Sequence, residues 1–389
     1  MLAVLAPGQG AQSPGMLAPW LDLPGVPARL RWLSALCGLD LVRLGTTAEA
    51  AEIQATEVTQ PLLVAFGLVA AEQLPLHDVT VVAGHSVGEL TAAALAGVFS
   101  AESAITLAAA RGRAMAAACG EPSTAMAAVL GGEPDEVLRT IETYGLTAAN
   151  RNGAGQVVAA GAVDAVRRLS EQPPARSRVI PLRVAGAFHT SYMASAEQSL
   201  AAIAEGVPTA DPVRLLLSNA DGTAVPTGGE VIKRLVAQVT SPVRWDLCQA
   251  TMGDLGVTAA IELPPAGTLA GLARRELKGV EMVALKTPED LAAARDLIAR
   301  HGGPPGAEPS VAFRVLVAPA AGTFATSAAV SEGDFVTPGT SVGQVITRQG
   351  AHEVTLSYPA VLAEWLVVDG DPVGRGQPLA RLQPQGVAP

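Results

Sequence analysis

A chain of 389 residues is roughly two to three times the length of an ordinary domain, and with 49% apolar and only 16% charged residues it can build a large core rather than stay disordered. Its 26 basic and 36 acidic residues leave a formal charge of −10, the wrong sign for non-specific binding to nucleic acid or to an anionic membrane. Three distant cysteines, Cys37, Cys119 and Cys248, fit neither a disulfide framework nor a zinc site, and no uncharged stretch reads as a spanning helix.

The opening MLAVLAPGQGAQ lacks a basic start and turns to Gly and Gln after six residues, so it is a poor secretion signal, and a soluble cytoplasmic protein is expected. From there apolar runs of strand length alternate with helical stretches. The runs are Leu2–Ala6, Val79–Gly84, Val129–Gly131, Gln156–Gly161, Leu215–Ser218, Ala259–Leu263 and Met282–Leu285. The helical stretches include Gln60–Leu74, Leu90–Ala96 and Ala101–Ala118. This alternation predicts an α/β domain with a mainly parallel sheet.

Directly after the second run comes Gly84–His85–Ser86–Val87–Gly88–Glu89, followed by a helical stretch. A serine between strand and helix is held with its hydroxyl exposed, and glycines at −2 and +2 let the two elements approach. The following helix N-terminus offers backbone N–H groups to a developing oxyanion. Alone, GxSxG is only moderately specific in a chain with 40 glycines. A serine nucleophile needs a base, and of the five histidines His77 falls in a loop, His85 is expected to pack behind the turn, and His301 and His352 fall in the linker or tail. His189, after the strand-like Val179–Val184, is left; by itself a histidine there is more often a structural hydrogen-bonding residue than a base.

Further motifs occur in a fixed order: Pro7–Gly–Gln–Gly–Ala–Gln12, Thr59–Gln60–Pro61, Arg111–Gly–Arg–Ala–Met115, Asn150–Arg–Asn–Gly–Ala–Gly–Gln–Val–Val158, Ala187–Phe–His–Thr190 and Gln238–Val–Thr–Ser–Pro–Val–Arg–Trp245. Together with the serine motif they resemble the malonyl-CoA:acyl carrier protein transacylases over roughly residues 2 to 290. The resemblance implies Ser86 as acyl-accepting nucleophile and His189 as base, with the backbone carbonyl of Gln238 orienting the imidazole. It implies an oxyanion hole from the N–H groups of Gln9 and Val87, and Arg111 as partner of the malonyl carboxylate. Phe188, Asn150 and Asn152 match pocket positions, and Phe in place of a smaller residue at 188 goes with malonyl rather than methylmalonyl.

A charge next to the reacting thioester needs a partner once out of water, and a guanidinium supplies two parallel hydrogen bonds; the other reading of Arg111 is a solvated helix face. The fold implied is a hydrolase-like core with an inserted ferredoxin-like subdomain at about 124 to 187. One departure is Glu262–Leu–Pro–Pro–Ala–Gly267, where the family has Gly-Pro-Gly. The run Arg167, Arg168, Arg176, Arg178 and Arg183, opposed by Glu171, is a candidate surface for an acidic carrier protein; a scattered solvated face is the other reading.

Composition changes at 302–309, GGPPGAEP, which reads as a linker and divides a transferase domain at 1–301 from a domain at 311–389. Within the second, Val330–Ser–Glu–Gly–Asp–Phe–Val–Thr–Pro–Gly339 recurs as Val367–Val–Asp–Gly–Asp–Pro–Val–Gly–Arg–Gly376. Val342 and Val345 match Leu379 and Leu382 at the same offset. Two such copies predict an all-β unit with internal two-fold symmetry. Over about 311 to 383 it resembles a biotinyl/lipoyl domain of barrel-sandwich-hybrid type, yet the joining segment Ile346–Glu353 has no lysine, and the only lysines are Lys233, Lys278 and Lys286. No biotin or lipoate can be attached in the tail.

The expected function is transfer of a malonyl group from malonyl-CoA to the phosphopantetheine thiol of acyl carrier protein, with no bound cofactor or metal, in fatty acid or polyketide synthesis. A serine acyl-hydrolase or editing thioesterase uses the same residues and differs only in water exclusion. A non-catalytic scaffold recruiting partners through the tail is the alternative of another class.

Overall fold

The computed structural model describes residues 1–120, 122–303, 314–327, 329–356 and 359–384. Most of the expected linker, residues 304–310, lies outside them. The chain divides into two compact units, Met1–Pro305 and Gly306–Pro389.

In the first unit a five-stranded sheet runs in the order Glu281–Ala284, Ala259–Glu262, Leu2–Ala6, Val81–Gly84, Leu215–Leu217. Every pairing is parallel, with Ala3 beside Val81 and Ala6 beside Gly84. Leu2–Ala6 is buried at all five positions, as a continuous apolar run in a strand covered on both faces must be. The helix Thr56–Ala71 is almost entirely buried among neighbouring helices, chiefly Ala101–Ala117, which explains its apolar surface all round. Because all strands are parallel, their C-terminal ends lie on one edge, where α/β sheets place their ligands.

A second sheet has the order Ser177–Pro181, Thr124–Gly131, Gln156–Ala162, Thr147–Gly153, Val243–Arg244. It is antiparallel except where Thr147–Gly153 meets Val243–Arg244. The helices Pro134–Thr143 and Val163–Glu171 bury Val137, Ile141, Val166 and Leu169 against it. The run expected at Val179–Val184 is displaced: the strand is Ser177–Pro181, an edge strand on which Pro181 is tolerated, and Leu182 N–H still donates to the Met126 carbonyl at 2.9 Å. Thr147–Gly153 was not legible as a strand because its polar Asn-Arg-Asn core breaks the apolar run.

Among its described residues the second unit is all β. Its strands are Arg314–Val317, Gly322–Thr326, Phe335–Val336 and Ser341–Thr347, then Gly350–Thr355, Ala360–Trp365, Pro372–Val373 and Pro378–Pro384. The second four follow the first at the repeat's offset. One sheet has the order Arg314–Val317, Pro378–Pro384, Ala360–Trp365, Phe335–Val336; the other has Gly350–Thr355, Ser341–Thr347, Gly322–Thr326, Pro372–Val373. Each strand of one is thus the repeat partner of the strand at the same place in the other, so the halves interlock. The equivalent carboxylates of Glu332 and Asp369 each accept a backbone N–H from the opposite half, Trp365 at 2.7 Å and Thr326 at 2.8 Å. Phe324, Val345, Leu362, Leu379 and Leu382 fill the space between.

Candidate active site

Ser86 sits between the strand Val81–Gly84 and the helix Gly88–Leu95 with φ +52°, a left-handed conformation that costs a non-glycine residue on the order of 1–2 kcal/mol. The two glycines around it are required by contact. A Cβ on Gly84 would lie 2.0 Å from the carbonyl carbon of Gly88, and one on Gly88 would lie 2.2 Å from the carbonyl oxygen of Ala6. The turn therefore lifts the hydroxyl above the C-terminal edge of the sheet.

His189 meets it there. Its Nε2 is 2.8 Å from Ser86 Oγ, and its Nδ1 is 2.7 Å from the carbonyl oxygen of Gln238. A carbonyl only accepts, so Nδ1 carries the proton and Nε2 is left to accept from the serine hydroxyl. Burial first, and then the Arg111 charge, push the imidazole down to about 3, so it is neutral at physiological pH. A neutral imidazole hydrogen-bonded to a hydroxyl can take its proton.

Arg111, on the helix Ala101–Ala117, is 2% exposed, which removes the reading as a solvated face. Its Nη1 donates to Gln60 Oε1 at 2.8 Å, while Nη2 donates to Gln238 Oε1 at 2.8 Å and points at Ser86 Oγ at 3.4 Å. Among the described residues no carboxylate lies within 4 Å of the guanidinium. Burial lowers its pKa to about 10, opposed by the charge of Glu89; it remains a cation, held by neutral amides.

Around the serine a cavity of about 470 Å³ is lined by Gln9, Val87, Asn150, Asn152, Phe188 and Arg183, among others. Gln238 and Arg111 stand behind Ser86 and His189 rather than in the lining. The backbone N–H groups of Gln9 and Val87 have no acceptor among the described residues, which leaves both free for an oxyanion. His85 corrects an expectation: it lines the cavity instead of packing behind the turn, with Nε2 2.9 Å from Asn152 Oδ1 and its ring edge-on to Trp245. His301 ends the helix Leu291–His301 and pairs with Glu281 at 3.3 Å.

Three residues of this centre had no role assigned from sequence: Gln60, Glu89 and Asn219. Asn219 follows the strand Leu215–Leu217 on the ligand-binding edge; its Oδ1 accepts from the Ser86 N–H and its Nδ2 donates to the Gly84 carbonyl, both at 2.8 Å. A polar residue just past a central parallel strand was the available signal. The departing turn after Ala259–Glu262 is held by the buried Glu262 carboxylate, which accepts from the N–H groups of Gly267, Leu269 and Ala270 at 2.7, 2.9 and 2.8 Å. It caps the helix Thr268–Glu276.

Of the basic run, Arg167 is engaged with Asp164 at 3.2 Å and Glu171 at 3.6 Å, so Glu171 is not its only counter-charge. Arg168 lies over the Tyr144 ring. Arg183 is the member that reaches the cavity.

The acyl transferase domain family matches residues 5–288. The chain is 53% identical over 296 residues to the malonyl CoA-acyl carrier protein transacylase of Mycobacterium tuberculosis, covering 75% of this chain and 98% of the relative. It is 56% identical over 284 residues to that of Mycolicibacterium smegmatis, 71% and 98% of the two chains. The crystal structure of the Mycobacterium tuberculosis protein superposes with a TM-score of 0.74 at 52% identity, covering 76% of this chain and 99% of that one. A malonyl-transacylase solved in complex with its type II polyketide synthase acyl carrier protein matches with a TM-score of 0.72 at 30% identity, over 76% and 99% of the chains.

Proposed function

The chain belongs to the acyl transferase family, among the malonyl CoA-acyl carrier protein transacylases, and we propose that it works through an acyl-enzyme on Ser86. It moves a malonyl group from malonyl-CoA to acyl carrier protein, in fatty acid or polyketide synthesis. The observation that carries the assignment of residues is the placing of one hydroxyl between a neutral imidazole at 2.8 Å and a guanidinium at 3.4 Å that has no carboxylate partner among the described residues.

In the first half-reaction His189 Nε2 takes the proton of Ser86 Oγ as the oxygen attacks the thioester carbonyl carbon. The negative oxygen of the tetrahedral intermediate is received by the N–H groups of Gln9 and Val87. Arg111 binds the malonyl carboxylate. Collapse breaks the carbon–sulfur bond, and His189 returns its proton to the departing CoA thiolate. In the second half-reaction the carrier's phosphopantetheine thiol gives its proton to His189 and attacks the malonyl ester. Collapse then frees Ser86, which recovers the proton. Phe188, Asn150 and Asn152 shape the pocket, and Arg183 faces the incoming carrier.

The sheet built on Thr124–Gly131 has the order of elements of a ferredoxin-like subdomain, β-α-β-β-α-β, supporting its assignment at about 124–187 within a transferase domain of 1–301. The interlocked halves of the tail support a biotinyl/lipoyl-like domain at 311–389 beyond a linker at 302–310. Its hairpin between Ser341–Thr347 and Gly350–Thr355 carries Arg348 and Gln349 where attachment would need a lysine. Among the described residues no helix is long and apolar enough to cross a membrane; a cytoplasmic location fits the substrates.

The test is incubation with malonyl-CoA, with and without carrier protein, followed by intact mass of both proteins. A malonyl adduct on the enzyme that passes to the carrier, and is absent from Ser86→Ala, is expected. Free malonate in place of malonylated carrier would make the chain a hydrolase; an adduct surviving in Ser86→Ala would overturn the nucleophile.

A further inference from the structure

The carboxylate of Glu89 touches none of the reacting groups, yet it is buried at 5% exposure directly beneath them, on the first turn after Ser86. One oxygen accepts the backbone N–H of Asn219 at 2.6 Å, and the other accepts Gln238 Nε2. Both neighbours reach the nucleophile. Asn219 clamps the serine turn at the Ser86 N–H and the Gly84 carbonyl. Gln238 also donates from Nε2 to the Ser86 carbonyl at 3.1 Å, holds Arg111 through Oε1, and holds His189 through its backbone oxygen.

An amide has two faces of similar shape, and what surrounds it decides which way it points. Once Glu89 is ionised, an acceptor-only carboxylate stands on one side and a donor-only guanidinium on the other, so only one orientation satisfies both. In its ionised form Glu89 also offsets the buried cation at one remove: the chain carboxylate–amide–guanidinium then places negative charge near Arg111 without occupying the N–H groups that a bound carboxylate needs. A direct Glu–Arg pair would fill them.

We infer that Glu89 is a positioning residue that orients the Gln238 amide, and through it sets His189 and keeps Arg111 open for the substrate carboxylate. This rests on the reading of Ser86, His189 and Arg111 given above. The charged and titratable groups that face Glu89 are Arg111 and Arg234, on the helices Ala101–Ala117 and Gly228–Ala237, and the Cys248 thiol. Burial pushes the Glu89 carboxyl up to about 8, opposed by its two N–H donors and the two arginines, so it titrates within a range where rates can be measured.

The experiment is single-turnover release of CoA from malonyl-CoA by the full chain, across roughly pH 6 to 9, for wild type, Glu89→Gln, Gln238→Met and the double variant, with circular dichroism on each. Acylation of Ser86 by the wild type is the control for the underlying reading: without it that reading fails, whatever the variants do. With it, each single variant is expected to be at least about tenfold slower while folded, and the double variant no slower than the slower single, because both interrupt one connection. The wild-type rate is expected to rise with pH as Glu89 ionises, and both variants to be flat. Wild-type rates in Glu89→Gln, effects that multiply in the double, or parallel pH profiles in all proteins would overturn the inference. Should Glu89→Gln fail to fold, Gln238→Met keeps Glu89 in place and decides alone: a slow, pH-flat rate supports the connection and a wild-type profile overturns it.

Discussion

The guanidinium of Arg111 stands 3.4 Å from Ser86 Oγ, 25 residues apart in sequence, and donates to the amide oxygens of Gln60 and Gln238, with no carboxylate within 4 Å among the described residues. A buried cation with no anion beside it is costly, and the structure tolerates it where a substrate carboxylate is to bind. Arg111→Ala should therefore cost malonyl transfer ~2–4 kcal/mol in kcat/KM relative to acetyl transfer, the range of a charged hydrogen-bonded pair. Competition kinetics with both acyl-CoA substrates measure the ratio, and equal losses would make Arg111 structural.

Phe188 is 6% exposed and lines the cavity immediately before the base. Shortening it to serine opens room for an α-methyl group, worth ~1–3 kcal/mol of discrimination. Phe188→Ser should narrow the preference for malonyl over methylmalonyl; an unchanged ratio removes the ring from the substrate's path.

The serine turn depends on two missing side chains. Gly84→Ala sets a Cβ 2.0 Å from backbone at Gly88, and neither strand nor helix can yield. We expect a loss of stability of ~3 kcal/mol or more, or failure to fold, read by thermal unfolding. A variant with unaltered melting and activity would show that the turn has slack the contacts deny.

His189 stays neutral in the fold down to about pH 3 but takes a proton near its ordinary 6.5 when unfolded. Between those values the unfolded chain holds more protons, so the free energy of unfolding rises with pH and is lost on acidification, by at most ~1.4 kcal/mol per unit from this group. Urea unfolding of His189→Gln should show a shallower decline than the wild type between about pH 6 and pH 4. Identical slopes would mean that the imidazole is solvated in the native state.

Every residue assigned to the chemistry lies in the first unit, and the tail fills its own core with Phe324, Leu362, Leu379 and their neighbours. A chain ending at Gly303 should keep malonyl transfer within about threefold of the full protein. A fragment that is folded by circular dichroism yet inactive would give the tail a part in turnover.

What could be read from the residues alone was whatever short-range pattern encodes. Apolar runs alternating with helical stretches gave the parallel sheet, because a strand buried on both faces has no choice of composition. Gly84–His85–Ser86–Val87–Gly88 gave the turn, because only glycine fits at both ends of it. The repeat gave the tail's two-fold, because equivalent sequences make equivalent strands; that each sheet borrows strands from both halves was not in the pattern. Nor was the buried connection from Glu89 through Gln238 and Asn219 to Ser86. Its members are separated by as many as 152 residues and meet only when separate strands and helices end on one edge of the sheet. His85 illustrates the same limit, since its neighbour in sequence suggested one side of the turn and its partner Asn152, from the other sheet, holds it to the opposite one. A hydrogen bond across the fold depends on distance and direction in space, and the order of residues carries neither.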